Sequence, residues 1–210
     1  KWDMNRNITN IPEHQANHEK HEFYHRYMLG LYRVLEELNR RFPDILFESC
    51  SGGGGRNDLG MLYYMPQAWA SDNTDAIGRL SIQEGTGLIF PAISVGSHVS
   101  AVPNHQTGRV TPLATRGHVA MLGNLGYELD LHVLPERKLE QIAQQVETYK
   151  SIRGTVQFGD YYRLKKTGNT YAYNYVNDDK SQVVFTFVKV LSQPEAPLIQ
   201  VKLKGLDAEA

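Results

Sequence analysis

The sequence has few of the features that mark several classes of protein. Its 210 residues include one cysteine, Cys50, so no disulfide forms within the chain, and we expect a reducing, cytoplasmic location. No apolar run approaches the ~20 residues that span a bilayer. The 22 Lys and Arg residues are balanced by 23 Asp and Glu and are not concentrated in any segment. We therefore expect neither a membrane nor a nucleic acid as a partner.

The first part of the chain alternates helical patterns with short apolar strands. Apolar residues recur every three or four positions from Tyr24 to Leu38, which predicts a long helix over residues 12–41. Further helices are predicted at 75–83, 115–123 and 135–149, and strands at 45–50, 68–71, 87–90 and 127–131. This order is typical of α/β proteins with a parallel sheet, either part of a (β/α)8 barrel or a doubly wound fold.

After residue 150 the pattern changes to antiparallel β structure. Residues 170–176 and 182–191 are rich in Tyr, Val, Phe and Thr, and the polar residues 177–180 between them have hairpin chemistry. Residues 198–203 alternate between apolar and polar, which predicts another strand. We therefore expect two domains, residues 1–150 as the α/β part and residues 151–210 as a partial antiparallel β domain.

Two segments at predicted strand ends carry polar side chains. Residues 1–6 contain Lys1, Asp3 and Asn5, which suit a polar site, although an ion-paired strand end is the plainer interpretation. Residues 50–56 combine Cys50 with four glycines and Arg56. Their spacing does not fit a phosphate-binding loop, so the glycines more plainly allow close approach of the backbone to a ligand or a strand.

A third polar segment follows Trp69. Asp72 or Thr74 suits the N-cap of the next helix, with Asp75 in its first turn. The alternative is that one of the two aspartates, together with Asp3, forms the carboxylate pair of a glycosidase. A tryptophan close to each carboxylate favours a sugar site, because aromatic rings pack on the apolar faces of sugars.

The histidines of the first helix form a stripe of their own. His14, His18, His21 and His25 are spaced by four, three and four residues, which places them on one helix face. Two of them suffice to hold a metal, but no HExxH motif or cysteine pair accompanies them. A polar edge of the buried face, or a contact between subunits, is the plainer interpretation.

Taken in order, the polar segments resemble the bacterial α-galactosidases of glycoside hydrolase family 36. The resemblance covers most of residues 1–165 and rests on five runs in matching order: KWDMNR (1–6), ESCSGGGGR (48–56), WASDNTDA (69–76), SHVSAVPNHQ (97–106) and LGYELD (125–130). It implies the C-terminal part of a (β/α)8 barrel followed by an antiparallel β-sandwich segment. It also implies a retaining mechanism, no metal or organic cofactor, and frequent assembly into homotetramers.

The resemblance also implies roles for individual residues. Asp3 matches the catalytic nucleophile and Asp72 the general acid/base, with Asp75 as a rival for the second role. Lys1, Asn5, Cys50 and Gly52 match positions that hold the galactose ring. Arg56 and Trp69 are added as neighbouring substrate-binding positions, and the expected substrates are α-galactoside oligosaccharides such as melibiose and raffinose.

Other functions remain open at this point. A galactosyl transferase similar to raffinose synthase needs the same two carboxylates. A changed Cys50 loop would favour N-acetylgalactosamine over galactose as the sugar that the site binds. A non-catalytic carbohydrate-binding piece is the alternative outside the enzymes. Because Lys1, Trp2 and Asp3 have the pattern of a strand end, we also expect the chain to be a fragment that is inactive by itself.

Overall fold

The computed structural model describes residues 1–9 and 17–207, with side chains described for residues 1–9 and 21–207. The chain divides into two compact units, residues 1–72 and 73–210. No helix in the described ranges is long and apolar enough to cross a bilayer.

The helices and strands of the two units follow one another in regular alternation up to residue 158. The helices are α1 (Asn17–Arg41), α2 (Leu59–Tyr64), α3 (Ala76–Thr86), α4 (Leu113–Ala120) and α5 (Glu136–Phe158). The strands are β1 (Trp2–Asp3), β2 (Glu48–Cys50), β3 (Gln67–Trp69), β4 (Val95–Ser100), β5 (Asn124–Glu128), β6 (Asp160–Thr167), β7 (Thr170–Val176) and β8 (Val183–Lys189).

The first unit contains three short parallel strands covered by helices. β1 pairs with β2, with Asp3 opposite Cys50, and β2 pairs in parallel with β3. Residues of α1 and α2 pack in one apolar cluster around Leu35, Met61 and Met65, which are at most 2% exposed. This burial follows from the three-and-four spacing of apolar residues along α1.

The second unit begins with the same kind of α/β structure. β4 and β5 are parallel neighbours, and Val99 of β4 packs with Leu113, Ala120 and Ile142 from α4 and α5. Asp75 is the N-cap of α3, and its side chain accepts a hydrogen bond from the backbone N–H of Ile77. The cap is therefore neither Asp72 nor Thr74, the two residues that the sequence favoured.

The second unit ends in a three-stranded antiparallel sheet in the order β6-β7-β8. The hairpin between β7 and β8 lies at residues 177–180, as predicted, and Lys180 adopts a positive φ of 57° there. One face of the sheet packs Tyr173 and Tyr175 against Val156 of α5. The alternation of parallel strands and helices followed by an antiparallel sheet confirms the predicted fold class.

Two predicted strands are wrong. The apolar residues 87–90 form a turn at the end of α3, where the amide of Phe90 donates to the carbonyl of Thr86 at 2.9 Å. The strand lies instead at Val95–Ser100, where glycine lowers the β-propensity and only Val95 and Val99 are apolar, so the sequence pattern does not indicate a strand. Residues 198–203 have no ladder partner among the described strands. This segment is followed by Lys204, whose backbone N–H and carbonyl bond to the side chain of Asn174.

The boundary region between the predicted domains also differs. The helix expected to end at Tyr149 continues to Phe158, and strand β6 follows directly after it. The predicted boundary between residues 150 and 151 therefore falls inside α5. A short helix, α2, was also missed. It begins because the side chain of Asp58 accepts a hydrogen bond from the amide of Met61.

Candidate active site at the strand ends

The first unit places two carboxylates just past the ends of parallel strands. Asp3 is the last residue of β1, and Asp72 lies three residues beyond the end of β3 at Trp69. Both aspartates are exposed. Since the strands are parallel and in register, their carboxyl ends lie along one edge, which is where barrel enzymes place catalytic groups.

The glycine-rich loop that follows β2 packs against the segment that follows β3. Gly52 and Gly53 have positive φ angles of 56° and 83°, a conformation that glycine adopts without strain. A Cβ atom on Gly53 would lie 2.5 Å from the Cα of Ser71 and 2.8 Å from the amide nitrogen of Asp72. The loop after β2 therefore packs directly against the backbone that carries Asp72, and only glycine fits at this position.

Asn5 fixes the start of the same loop. The backbone N–H of Gly52 donates to Oδ1 of Asn5 at 2.6 Å, and the hydroxyl of Ser51 donates to the carbonyl of Met4 at 2.6 Å. Two hydrogen bonds thus join the residues that follow Asp3 to the residues that follow Cys50. The exposed edge has a defined backbone geometry.

Cys50 is the cross-strand neighbour of Asp3 and is 1% exposed. Burial raises the pKa of the Cys50 thiol, and a hydrogen bond to Asp3 acts in the same direction. The thiol is therefore neutral near pH 7 and unsuited to act as a nucleophile.

Lys1 lies at the same edge between an acid and an aromatic ring. Its Nζ is 3.8 Å from Oε1 of Glu48 and 5.3 Å from the ring centroid of Trp69. The amide of Gln67 donates to the other carboxylate oxygen of Glu48. These contacts hold the ammonium group in place while leaving 41% of the Lys1 side chain exposed.

The tryptophans do not form the open aromatic walls that the sequence suggested. Trp69 is 3% exposed, and Trp2 packs with Met28, Leu31 and Phe47 on the helix side of the sheet. Trp2 and Asp3 are adjacent in a strand, so their side chains point to opposite faces. Asp3 is therefore on the face away from the helices.

Asp75 is buried and ion-paired, unlike Asp72. The Asp75 side chain is 3% exposed and accepts from the guanidinium of Arg109 as well as capping α3. A loop held by Asn104, whose Nδ2 donates to Oγ1 of Thr74 at 2.9 Å, packs beside it. Both oxygens of Asp75 are committed to structural contacts, which favours Asp72 as the carboxylate available for chemistry.

Similar proteins of known family identify the family of this chain. Residues 1–159 match the family model described as Melibiase. The chain belongs to the melibiase family. Residues 170–210 match the Glycosyl hydrolase family 36 C-terminal domain, so the two parts of the chain point to the same family.

Individual relatives within the melibiase family are similar over the whole chain. The chain is 56% identical to α-galactosidase AgaA of Geobacillus stearothermophilus over 99% of its length and 51% identical to α-galactosidase Mel36A of Lactobacillus acidophilus over 100%. The crystal structure of AgaA superposes with a TM-score of 0.96 over 99% of this chain, and that of the Lactobacillus brevis α-galactosidase with 0.95 over 98%. In each case the chain spans only 28–29% of the relative's length.

Six of the eight site residues predicted from the sequence, Lys1, Asp3, Asn5, Cys50, Gly52 and Asp72, therefore lie at one edge of the first unit. Trp69 is buried beside that edge, where its ring contacts the ammonium group of Lys1. Their roles toward a sugar stay predictions. Sequence reasoning misses Glu48, a half-buried carboxylate of β2 that pairs with Lys1, although its place directly after the apolar residues 45–47 is a signal that could have found it.

Only part of the histidine stripe lies among the residues whose side chains are described. His21 and His25 are exposed on α1 rather than at the edge of a buried face, His14 is outside the described residues, and the side chain of His18 is not described. Among the described residues, no group of three or more His, Cys, Asp and Glu is arranged to hold a metal ion.

Proposed function

We propose that these residues form part of the catalytic barrel of a retaining α-galactosidase. The enzyme releases terminal α-linked galactose from oligosaccharides such as melibiose and raffinose. The observation that carries the proposal is the pair of exposed carboxylates, Asp3 and Asp72, at one edge of parallel strands and connected through the Cys50–Gly53 loop.

The chemistry divides between the two carboxylates. Asp3 attacks the anomeric carbon and forms a galactosyl ester while Asp72 gives its proton to the leaving oxygen. Asp72 then removes a proton from water, which attacks the anomeric carbon and releases galactose and the free Asp3 carboxylate. Retention requires the carboxyl groups to lie roughly 5–5.5 Å apart. Cys50, neutral and beside Asp3, does not compete as nucleophile.

The sugar would be held by the groups around these carboxylates. Lys1 presents its ammonium group and Asn5 the NH2 of its amide at the edge where Asp3 ends its strand, while the buried Cys50 and the Gly52 N–H, which donates to Asn5, shape that edge. Variants of AgaA have been crystallised with raffinose and with stachyose, which supports α-galactoside oligosaccharides as the substrate class.

The proposal is tested in a chimera, because the chain spans 29% of AgaA. These 210 residues replace the matching segment of the Geobacillus enzyme, and the resulting protein is called the AgaA chimera below. We expect it to hydrolyse melibiose and raffinose with release of α-galactose, the anomer that NMR detects first in a retaining reaction. A folded chimera without turnover would contradict the proposal.

A covalent probe identifies the nucleophile directly. A galactose-configured cyclophellitol aziridine forms an ester when a carboxylate opens its ring, so mass spectrometry locates the attacking residue. We expect the modification on the tryptic peptide spanning residues 2–6, whose one carboxylate is Asp3. Modification elsewhere would remove the assignment.

Two further measurements separate the alternatives. With excess sucrose, a hydrolase yields mainly galactose, whereas a transferase yields larger saccharides. The 210-residue chain alone is expected not to hydrolyse nitrophenyl α-galactoside, because its five described parallel strands are fewer than the eight of a closed barrel. Robust hydrolysis by the isolated chain would contradict this expectation.

A further inference from the structure

The side chain of Arg56 lies in the first unit, behind the edge that carries Asp3. One of its nitrogens, Nη2, donates to the carbonyl of Cys50 at 2.7 Å and to the carbonyl of Trp2 at 3.3 Å. The other, Nη1, is 3.8 Å from the sulfur of Met4. The guanidinium group therefore contacts the ends of both β1 and β2.

These three acceptors surround Asp3 in a specific way. Trp2 is the residue before Asp3, Met4 is the residue after it, and Cys50 is its cross-strand partner. Arg56 thus bonds to the backbone before Asp3 and across from it and contacts the Met4 side chain after it, without using the Asp3 carboxylate as an acceptor in any of these bonds. The sulfur of Met4 also accepts from the hydroxyl of Tyr27 at 3.5 Å, which holds that side chain from α1.

The contacts of Arg56 with the two strand ends matter because β1 is short. Only two residues of β1 take part in the ladder, and the amide of Met4 adds one more bond to the carbonyl of Cys50 at 3.1 Å. Few backbone hydrogen bonds are therefore available to fix the position of Asp3 along β1 relative to Cys50 of β2. A planar guanidinium with several donors is suited to joining two strand ends, whereas an ammonium group is not.

We propose that Arg56 is a positioning residue that holds the β1 and β2 strand ends so that the Asp3 carboxylate lies in line with the anomeric carbon. It does not bind the sugar itself. This inference rests on the proposed function, since it assigns a purpose to the geometry around its nucleophile. It changes the role of Arg56 from the substrate contact that the sequence suggested.

The test compares Arg56→Met and Arg56→Lys in the AgaA chimera. A displacement of about 1 Å at a reacting group lowers turnover about 10²-fold. We expect Arg56→Met to lower kcat on nitrophenyl α-galactoside about 100-fold with KM changed less than threefold. Arg56→Lys, which restores one donor group but not the fork, is expected to recover part of that loss.

The end-point and the rate of aziridine labelling distinguish a positioning role of Arg56 from misfolding of the variant. The end-point of aziridine labelling counts competent sites, and the rate of labelling reports attack by Asp3. We expect the end-point to stay near that of the parent, the rate to fall with kcat, and the affinity for 1-deoxygalactonojirimycin to change less than threefold. Arg41→Met on α1 removes an exposed guanidinium that pairs with Glu37, and this control is expected to keep the parent rates.

The outcomes that overturn the proposal are distinct. A tenfold or greater loss of 1-deoxygalactonojirimycin affinity with unchanged labelling rate would make Arg56 a sugar ligand. A fall in the labelling end-point that accounts for the whole loss of kcat would make its role purely structural. If the parent chimera neither turns over nor takes the label on Asp3, the proposed function fails first, and the role of Arg56 falls with it.

Discussion

The two candidate catalytic carboxylates of the first unit and the two carboxylates of α3 in the second unit have opposite environments. In the first unit, Asp3 and Asp72 stay exposed at the ends of β1 and β3, beside glycines and a neutral thiol. In the second unit, the two carboxylates of α3, Asp75 at its N-cap and Glu84 near its end, are 3% and 5% exposed.

The buried carboxylates of the second unit are each matched by cations. Arg109 pairs with Asp75, while Arg163 and Lys166 from β6 both approach Glu84. Burying a carboxylate is unfavourable unless such partners compensate for the lost hydration. These pairs attach α3 to its neighbours within the second unit.

The difference separates carboxylates that can react from carboxylates that hold the fold. A nucleophile or acid must reach a substrate, so it must remain accessible after folding. Asp72 and Asp75 are only three residues apart, yet Asp72 stays exposed, whereas Asp75 is buried as the N-cap of α3 and in an ion pair with Arg109.

The largest effect is expected from removing the exposed carboxylates. In the AgaA chimera, Asp3→Asn should lower kcat on melibiose by about 10⁴-fold or more, because a neutral amide replaces the nucleophilic carboxylate. Asp72→Ala should lower it by about 10²–10⁴-fold on melibiose and less on nitrophenyl α-galactoside, whose leaving group needs little protonation. Steady-state kinetics on both substrates measures this difference.

Asp75→Asn is the matched change in the second unit. It is expected to lower thermal stability while keeping most of kcat, because Asp75 contacts Arg109 and the α3 amides. If Asp75→Asn lost more turnover than Asp72→Ala on melibiose, the roles assigned to the two aspartates would have to be exchanged.

The next largest effect is expected at the loop that joins the strand ends. Gly53→Ala adds a Cβ within 3 Å of the backbone of Ser71 and Asp72, so the loop must move and kcat should fall about 10²-fold. Gly108→Ala is the control, because Gly108 also has a positive φ but open space around its Cα. Equal losses in both variants would show backbone strain, rather than the contact with Asp72, to be the cause.

A smaller, purely structural effect is expected from Arg109. Arg109→Met leaves the Asp75 carboxylate buried without its cation and should reduce the free energy of unfolding by about 3–5 kcal/mol, as measured by urea denaturation of the chimera. Arg40→Met breaks an exposed pair with Glu37 and should leave the urea midpoint unchanged. Similar midpoints for both variants would contradict the contrast between buried and exposed pairs.

The smallest effect is expected from removing a buried neutral group, the hydroxyl of Tyr161 in the antiparallel sheet. The hydroxyl of Tyr161 is buried and has no hydrogen-bond partner among the described residues, so Tyr161→Phe should stabilise the chain by up to about 1 kcal/mol. Tyr175→Phe is the control, because its hydroxyl donates to the carbonyl of Leu122 and its loss should not stabilise.

The stability of the folded chain at alkaline pH tests the burial of Tyr161 independently. Burial raises the pKa of Tyr161 to about 12, above its ordinary value of 10.0. Above pH 10 the unfolded chain releases this proton and the folded chain keeps it, so stability is complete below pH 10 and is lost as the pH rises toward 12. The Tyr161→Phe chimera should lose less stability in this window, as followed by urea denaturation from pH 9 to 12.

Much of the fold could be predicted, and the failures have physical causes. The long helix α1 and strand β7 follow from strong periodicity, and the hairpin at 177–180 from its turn residues. Strand β4 does not follow from the sequence pattern, because only Val95 and Val99 of its six residues are apolar. Residues 87–90 have the pattern of a strand because three apolar residues stand together, but they form a turn. The cytoplasmic location and the tetrameric assembly stay predictions.

The candidate site shows the same division at the level of single residues. The order of polar segments, and the family they resemble, could be recognised from the sequence because each segment is a short run of neighbouring residues. Which of Asp72 and Asp75 is the N-cap was not readable, because both suit a cap and both precede the helix. The contacts of Arg56 were equally hidden, since its three acceptors come from residues 2, 4 and 50.

The sequence by itself determined that the chain is an α/β protein with carboxylates at strand ends, because hydrophobic periodicity and the position of polar runs are local properties. The tertiary structure alone decided which of those side chains stay exposed, which are buried in ion pairs, and that Arg56 joins the ends of β1 and β2 beside Asp3. The physical reason is that burial and pairing depend on residues far apart in the chain, which only folding brings within contact distance.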